Sequence, residues 1–348
     1  MIELGISTFG ETTPLEKTGQ PIPHDKRIRN LVEEIELADQ VGLDIYAIGE
    51  HHREDFAISA PEIVLAAGAV TTRHIRLSSA VTILSSIDPV RVYQQYATID
   101  ALSKGRAEIM AGRGSFIESF PLFGYDLADY DELFDEKLAM LLEIKKTTKL
   151  NWSGRHTQTV NNRPVYPRAV QEDFPIQVAT GGSPHSTQKI AELGLPIVYA
   201  IIGGNPKNFR QLVKMYKQIG RLHGHDVSKM TVAAHSWGWL AKDKEQAERD
   251  YFHPTKQLVD NISKDRPFWK ELTYDDYLNS IGENGAMFVG DAQTVANKII
   301  KIVEDLQLDR FMMHLPVGSM PHEDTLEAIR IYGQEVAPKV REYFEDKG

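Results

Sequence analysis

A carboxylate, two imidazoles and a guanidinium stand side by side in Gly49-Glu50-His51-His52-Arg53, directly after the short apolar run Asp44–Ile48. A buried strand running into a polar loop is where parallel α/β sheets and barrels build their chemistry. An imidazole placed there can take or give a proton at neutral pH, which suits general acid–base work. Loop-ordering ion pairs from Glu50 and Arg53, with one histidine packed inside, explain the same residues without catalysis. A metal site fits less well, because neighbours on a strand point to opposite faces and cannot grip one ion unless the backbone turns. The spaced pair His223-Gly224-His225 leads into a later strand, at the barrel end where active sites are not built. No metal is expected.

Three further stretches have the residue types to hold a ligand. Ser78–Ser86 places small residues at the end of a strand, either to let a flat ring approach the backbone or to fill a tapering interior. Ala111-Gly112-Arg113-Gly114-Ser115 sets a cation between glycines, which suits a phosphate and equally an ordinary turn. Gly181-Gly182-Ser183-Pro184-His185-Ser186 follows a strand and opens a helix, with Ser183 as N-cap and Pro184 at the first helical position. Unpaired amides, the positive dipole end and two hydroxyls there suit an anion, although capping alone accounts for the pattern. Gly203-Gly204-Asn205-Pro206 either lines the same rim or only turns the chain. His235, Trp237 and Trp239 share one strand face by the period of two, so either they or Ser236 and Gly238 face inward. His314 reads as a hydrogen-bonded core residue.

The elements that must position these residues follow from the apolar period. Strands are predicted over Ile2–Ser7, Asp44–Ile48, Ile75–Leu84, Arg106–Ala111, Ile176–Ala179, Ile197–Ile202, Thr231–Leu240 and Phe311–Leu315. Between them lie helical patterns, several opened by a proline or a capping aspartate: Pro61, Pro89, Pro184 and Asp291. Eight strands alternating with helices predict an α/β chain closed into a (β/α)₈ TIM barrel. Insertions are expected after the fourth strand (113–131), near 150–175, and after the seventh strand (242–290), where no clean strand is visible. No repeat or linker divides residues 1–348, which read as one barrel domain.

Composition narrows the function. With 39 Lys and Arg against 49 Asp and Glu, the formal charge is −10, a poor match to nucleic acid. The absence of cysteine excludes disulfides, thiolate metal sites and cysteine nucleophiles. No segment approaches the roughly 18 apolar residues needed to span a bilayer. The N-terminal strand lacks the pattern of a secretion signal. A cytoplasmic protein with a small-molecule substrate, and with neither nucleic acid nor membrane as partner, is the expectation.

Taken together, Glu50-His51-His52, the run from Ser79 through Asp88-Pro89-Val90-Arg91, Leu102-Ser103-Lys104-Gly105-Arg106, and Gly112-Arg113-Gly114 followed by Phe123-Gly124 resemble the bacterial luciferase-like flavin monooxygenases. Gly181–Ser186 and Val289-Gly290-Asp291 continue the likeness in the same order, over nearly the whole chain. Gly114–Gly124 is most similar to single-chain bacterial members of that family. The resemblance implies a barrel binding reduced FMN at its C-terminal mouth, with dioxygen as co-substrate. It implies a flavin ring against Ser79, Ala80 and Val81, with a non-proline cis peptide at Ala80–Val81. It also implies a phosphate held by Arg113 and by Gly181, Gly182, Ser183 and Ser186. His51 is the position that the resemblance ties to flavin chemistry, and it is expected to take the proton step, with Glu50 orienting the local network.

The resemblance has departures. Gly112 stands where luciferase has a reactive cysteine, and Gly182 replaces an acidic residue of the phosphate site, so light emission is not implied. The expected function is a two-component FMN-dependent monooxygenase fed by a separate flavin reductase, in a chain that pairs as a homodimer. A deazaflavin-dependent dehydrogenase and a catalytically silent flavin-binding protein are the alternatives. Substrate specificity is expected in 113–131 and 242–290, through Phe116, Phe120, Phe268, Trp269 and Tyr277.

Overall fold

The computed structural model describes residues 2–114, 116–265 and 269–347. Eight parallel strands form the barrel: β1 Glu3–Thr8, β2 Ile45–Ile48, β3 Arg76–Ser79, β4 Ala107–Gly112, β5 Ile176–Thr180, β6 Ile197–Ala200, β7 Val232–Leu240 and β8 Arg310–His314. Each pairs with its sequence neighbour, and β8 closes on β1 with Glu3 opposite Arg310 and Ser7 opposite His314.

Because successive strand residues face opposite ways, the strands supply two cores. Leu4, Ile6, Tyr46, Ile48, Leu77, Ile109 and Phe311 pack outward under the helices. Ile45, Ala47, Met110, Val198, Ala233 and Met312 fill the barrel axis as a separate apolar plug. Below the plug, at the N-terminal ends, lie Arg76, Glu108, Gln177 and Arg310. Above it, at the C-terminal ends, lie Ser7, Ala80, Gly112, His235 and His314. That parity settles the seventh strand: His235 and Trp237 face inward, while Ser236 faces out and donates to the Ile201 carbonyl at 2.9 Å.

Several predicted elements are corrected. The third strand does not run to Leu84: it stops at Ser79, passes through a cis Ala80–Val81 bond, pairs again with β4 over Thr82–Ile83, and ends in a 3₁₀ turn, Leu84–Ser86. The insertion after β4 contains a short helix, Ser119–Phe123. The insertion expected near 150–175 is present, as a hairpin of Lys149–Trp152 and Val160–Pro164. The stretch after β7, read as lacking a clean strand, holds helices Lys244–Asp265 and Tyr274–Ile281 and a short strand, Phe288–Gly290, that pairs with β7. Its helical period was obscured by charge and by Pro254 inside the helix. Ser115 and Phe268 lie outside the described residues.

Candidate active site

A cavity of about 850 Å³ opens at the C-terminal end of the barrel. Of the predicted site residues, Glu50, His51, Ala80, Val81, Arg113, Gly181, Ser183 and Ser186 line it together. Two do not. Ser79 spends its hydroxyl on β4, accepting from the Met110 amide and donating to the Met110 carbonyl, both at 3.0 Å. Gly182 makes a turn at φ +93°, where a Cβ would come within 2.4 Å of Phe209, so glycine is required there by backbone shape and space.

His51 is held by its amide, which donates to the Ile58 carbonyl at 2.8 Å. Its ring sits among Phe9, Phe56 and Phe116, with centroids 4.6, 4.4 and 4.7 Å away. Glu50 orders the loop through two contacts. One carboxylate oxygen lies 2.7 Å from His52 Nε2 and the other accepts from the Ile83 amide at 3.0 Å. Glu50 therefore ties the loop after β2 to the segment just beyond the cis bond, and His52 helps hold it.

The wall beside His51 is backbone at close range. Gly112 is packed so near Val81 that a Cβ would meet its side chain at 2.5 Å, and a Cβ on Gly49 would lie 2.6 Å from the Ala80 carbonyl oxygen. Across the cavity stands a cationic, hydroxyl-rich corner. Arg113 donates to Ser186 Oγ at 3.0 Å, and Ser183 caps the helix Pro184–Glu192 by accepting from the Ser186 amide at 3.1 Å. Lys189 on the same helix lines the cavity and pairs with Asp135, whose carboxylate also lies 3.8 Å from Arg113. A phosphate monoester fits this donor set in charge and in hydrogen-bonding capacity, and the glycine-lined wall leaves a flat apolar face for a ring. The residues present thus fit an FMN-like group. Gly203–Asn205 only turns the chain, with Asn205 capping a 3₁₀ turn.

Glu11, which the sequence did not single out, and two histidines that it left outside the predicted site complete the cavity. Glu11, just past β1, pairs with His314 at 2.8 Å, and both are 1% exposed. His235 stacks on His314 with centroids 5.2 Å apart. Burial, aided by His314, pushes the His235 ring down to about 3, so it stays neutral. The available signal was positional: His314 ends its strand, and both histidines have the inward parity. Phe116 and Trp269 reach the cavity from the insertions as expected. Phe120 does not, being stacked on Tyr130, and Tyr277 packs on Phe252 and donates to the Glu248 carbonyl at 2.8 Å.

The family model for luciferase-like monooxygenases matches residues 2–310. The chain belongs to that family. Over 193 residues this luciferase-like protein is 28% identical to the alkanal monooxygenase alpha chain of Aliivibrio fischeri, a match spanning 55% of this chain and only about half, 53%, of that relative. Among solved structures it resembles the oxygenating constituent of 3,6-diketocamphane monooxygenase of Pseudomonas putida, in complex with FMN, with TM-score 0.77, 18% identity, and 97% and 99% of the two chains covered. It also resembles the coenzyme F420 dependent tetrahydromethanopterin reductase of Methanopyrus kandleri, with TM-score 0.73, 19% identity, and the same coverage of 97% and 99%. These two likenesses establish the barrel. Among the described residues, no helix of this family member is long and apolar enough to cross a membrane.

Proposed function

We propose that the protein is a flavin-dependent monooxygenase that takes reduced FMN from a separate reductase and uses dioxygen to oxidise a small organic substrate, working as a homodimer in the cytoplasm. One observation carries this reading: a single cavity joins His51 and the cis Ala80–Val81 wall to the Arg113–Ser183–Ser186 corner. Arg113, Ser183 and Ser186 would hold the phosphate, and Ala80, Val81 and Gly112 would back the ring. Bound reduced FMN supplies the electrons that dioxygen activation requires. The protein's part is to position, to exclude water and to handle protons. The phenylalanines around His51 keep water from its ring, so a proton held on an imidazole nitrogen can pass to or from the reacting centre rather than to solvent. Glu50 acts by orienting the loop through His52 and Ile83.

Equilibrium titration with FMN, reduced FMN and F420, followed by admission of oxygen, tests the reading. Binding of reduced FMN, with reoxidation kinetics clearly altered from those of free reduced FMN, is the expected result. Tight F420 binding with none for FMN would replace it with a deazaflavin-dependent dehydrogenase. FMN binding with reoxidation as in free solution would mark a catalytically silent flavin-binding protein.

A further inference from the structure

We propose that a neutral oxygen function of the substrate, a hydroxyl or a carbonyl, docks on Nε2 of His235 at the cavity end of a buried hydrogen-bonded chain formed by Glu11, His314, Ser7 and His235. The inference rests on reading the cavity as a chamber shared by flavin and substrate.

The chain can be followed atom by atom. Glu11 Oε1 lies 2.8 Å from His314 Nε2, His314 Nδ1 lies 3.5 Å from Ser7 Oγ, and Ser7 Oγ lies 3.2 Å from His235 Nδ1. Its four residues are between 0% and 6% exposed. Ser7 and His314 are register partners across the closing seam of the barrel, so the contacts are set by strand pairing rather than by loop conformation. The chain ends at His235 Nε2. That atom has no hydrogen-bond partner among the described residues, although its residue is 6% exposed and lines the cavity. A polar atom at the cavity wall of an otherwise buried residue, with no protein partner, is completed by a ligand or a water in the cavity.

The surroundings define what that ligand is. Phe9, whose ring centroid is 6.0 Å from that of His235, lines the same cavity together with the apolar Trp237, Leu258, Ile262 and Trp269. His235 is neutral, so it offers a hydrogen bond and no charge. Glu11 places a carboxylate behind it, which disfavours an anionic ligand at this end, while the cations Arg113 and Lys189 stand on the phosphate side. The ligand matched by this combination is an apolar skeleton bearing one uncharged oxygen.

The polarity of the chain is coupled from end to end. With one proton on His314, donated from Nε2 to Glu11, the Ser7 hydroxyl donates to His314 Nδ1 and accepts from His235 Nδ1. His235 Nε2 is then bare and accepts from a hydroxyl. With a proton on each His314 nitrogen and Glu11 as counter-charge, the Ser7 hydroxyl turns to donate to His235 Nδ1. Nε2 then carries the proton and donates to a carbonyl. His235 is thus a substrate-contacting specificity residue, and Ser7, His314 and Glu11 are positioning residues.

Calorimetric titration of the protein, with and without FMN, against decalin, 2-decalol and 2-decalone provides the test. The wild type is expected to bind the alcohol or the ketone about tenfold more tightly than the hydrocarbon, the effect of one added hydrogen bond in a buried site. The preferred partner reports which polarity the chain holds. His235→Phe should bring that ratio close to one, whatever the change in decalin affinity itself. Ser7→Ala, which removes a single atom, should change the alcohol-to-ketone ratio and leave decalin affinity unchanged. A wild type without preference, or a ratio unmoved by His235→Phe, overturns the docking site, and an alcohol-to-ketone ratio unmoved by Ser7→Ala overturns the chain. Failure of FMN to bind would instead remove the chamber reading, and the FMN-free titrations would still report on His235.

Discussion

The two ends of the barrel hold similar residue types in opposite states. At the N-terminal end Glu108, 1% exposed, accepts two bonds from Arg310 at 2.6 and 3.2 Å, one from Arg76 at 3.0 Å and one from Gln177 at 2.6 Å. Arg310 also donates to Glu3 at 2.7 Å. Burial pushes the Glu108 carboxyl up, but the two guanidiniums and their hydrogen bonds outweigh it and hold the group below its usual range. At the C-terminal end the polar groups stop short of mutual satisfaction. His235 keeps one nitrogen for the cavity, and Arg113 and Ser186, bonded to each other, line it. The apolar plug between Ile45 and Met312 separates the two ends. A saturated network rigidifies, whereas an incomplete one leaves capacity for a ligand. The same strands therefore supply stability below the plug and chemistry above it.

The contrast can be broken from either side. Glu108→Ala would strand Arg310 and Arg76 and should cost about 3–5 kcal/mol of stability, read by chemical denaturation, while FMN affinity of the folded protein stays unchanged. The acid limb belongs to the same residue. Its folded carboxyl lies below the unfolded one, so its contribution is complete above about pH 4.5 and is lost as pH falls through the folded value. The wild type should thus lose stability steeply below about pH 4.5, and Glu108→Gln should flatten that slope. His51→Ala should act on the other side of the contrast: turnover of the folded protein falls by about 10²-fold or more with FMN still bound. Arg113→Ala should weaken FMN binding by about tenfold to a hundredfold in an equilibrium titration, as expected for a lost charge-assisted contact. Ser79→Ala gives the smallest and sharpest test. Its hydroxyl belongs to the scaffold by geometry, so about 1–2 kcal/mol of stability should be lost without an effect on FMN affinity. Lost affinity at constant stability would move Ser79 back to the site.

Much of the scaffold was legible because it rests on short-range rules. The apolar period changes between strand and helix, Pro61 and Pro89 open helices, and Asp291 caps the helix Ala292–Leu306 by accepting from the Thr294 amide at 2.7 Å. Segments whose pattern is mixed were not legible. Lys244–Asp265 buries Ala247, Tyr251, Leu258 and Ile262 on one face, yet charged neighbours and Pro254 hide the period. The interruption of the third strand at Ala80–Val81 leaves no trace in composition or period, and only the family resemblance pointed to it. Glu50 stands one position before His51 and two before His52, and it is the local backbone turn that hands it to His52.

By itself the sequence determined the alternation of strand and helix, the strand ends where chemistry belongs, and the residues His51, Arg113, Ser183 and Ser186 that meet in one cavity. Periodicity and capping act over a few residues, so one chain read in order suffices for them. The tertiary structure alone decided that His235 faces inward and that Glu11, Ser7 and His314 stand behind it. Those contacts join residues 228 and 303 positions apart, and only closure of the barrel at β8 and β1 brings them within hydrogen-bonding distance.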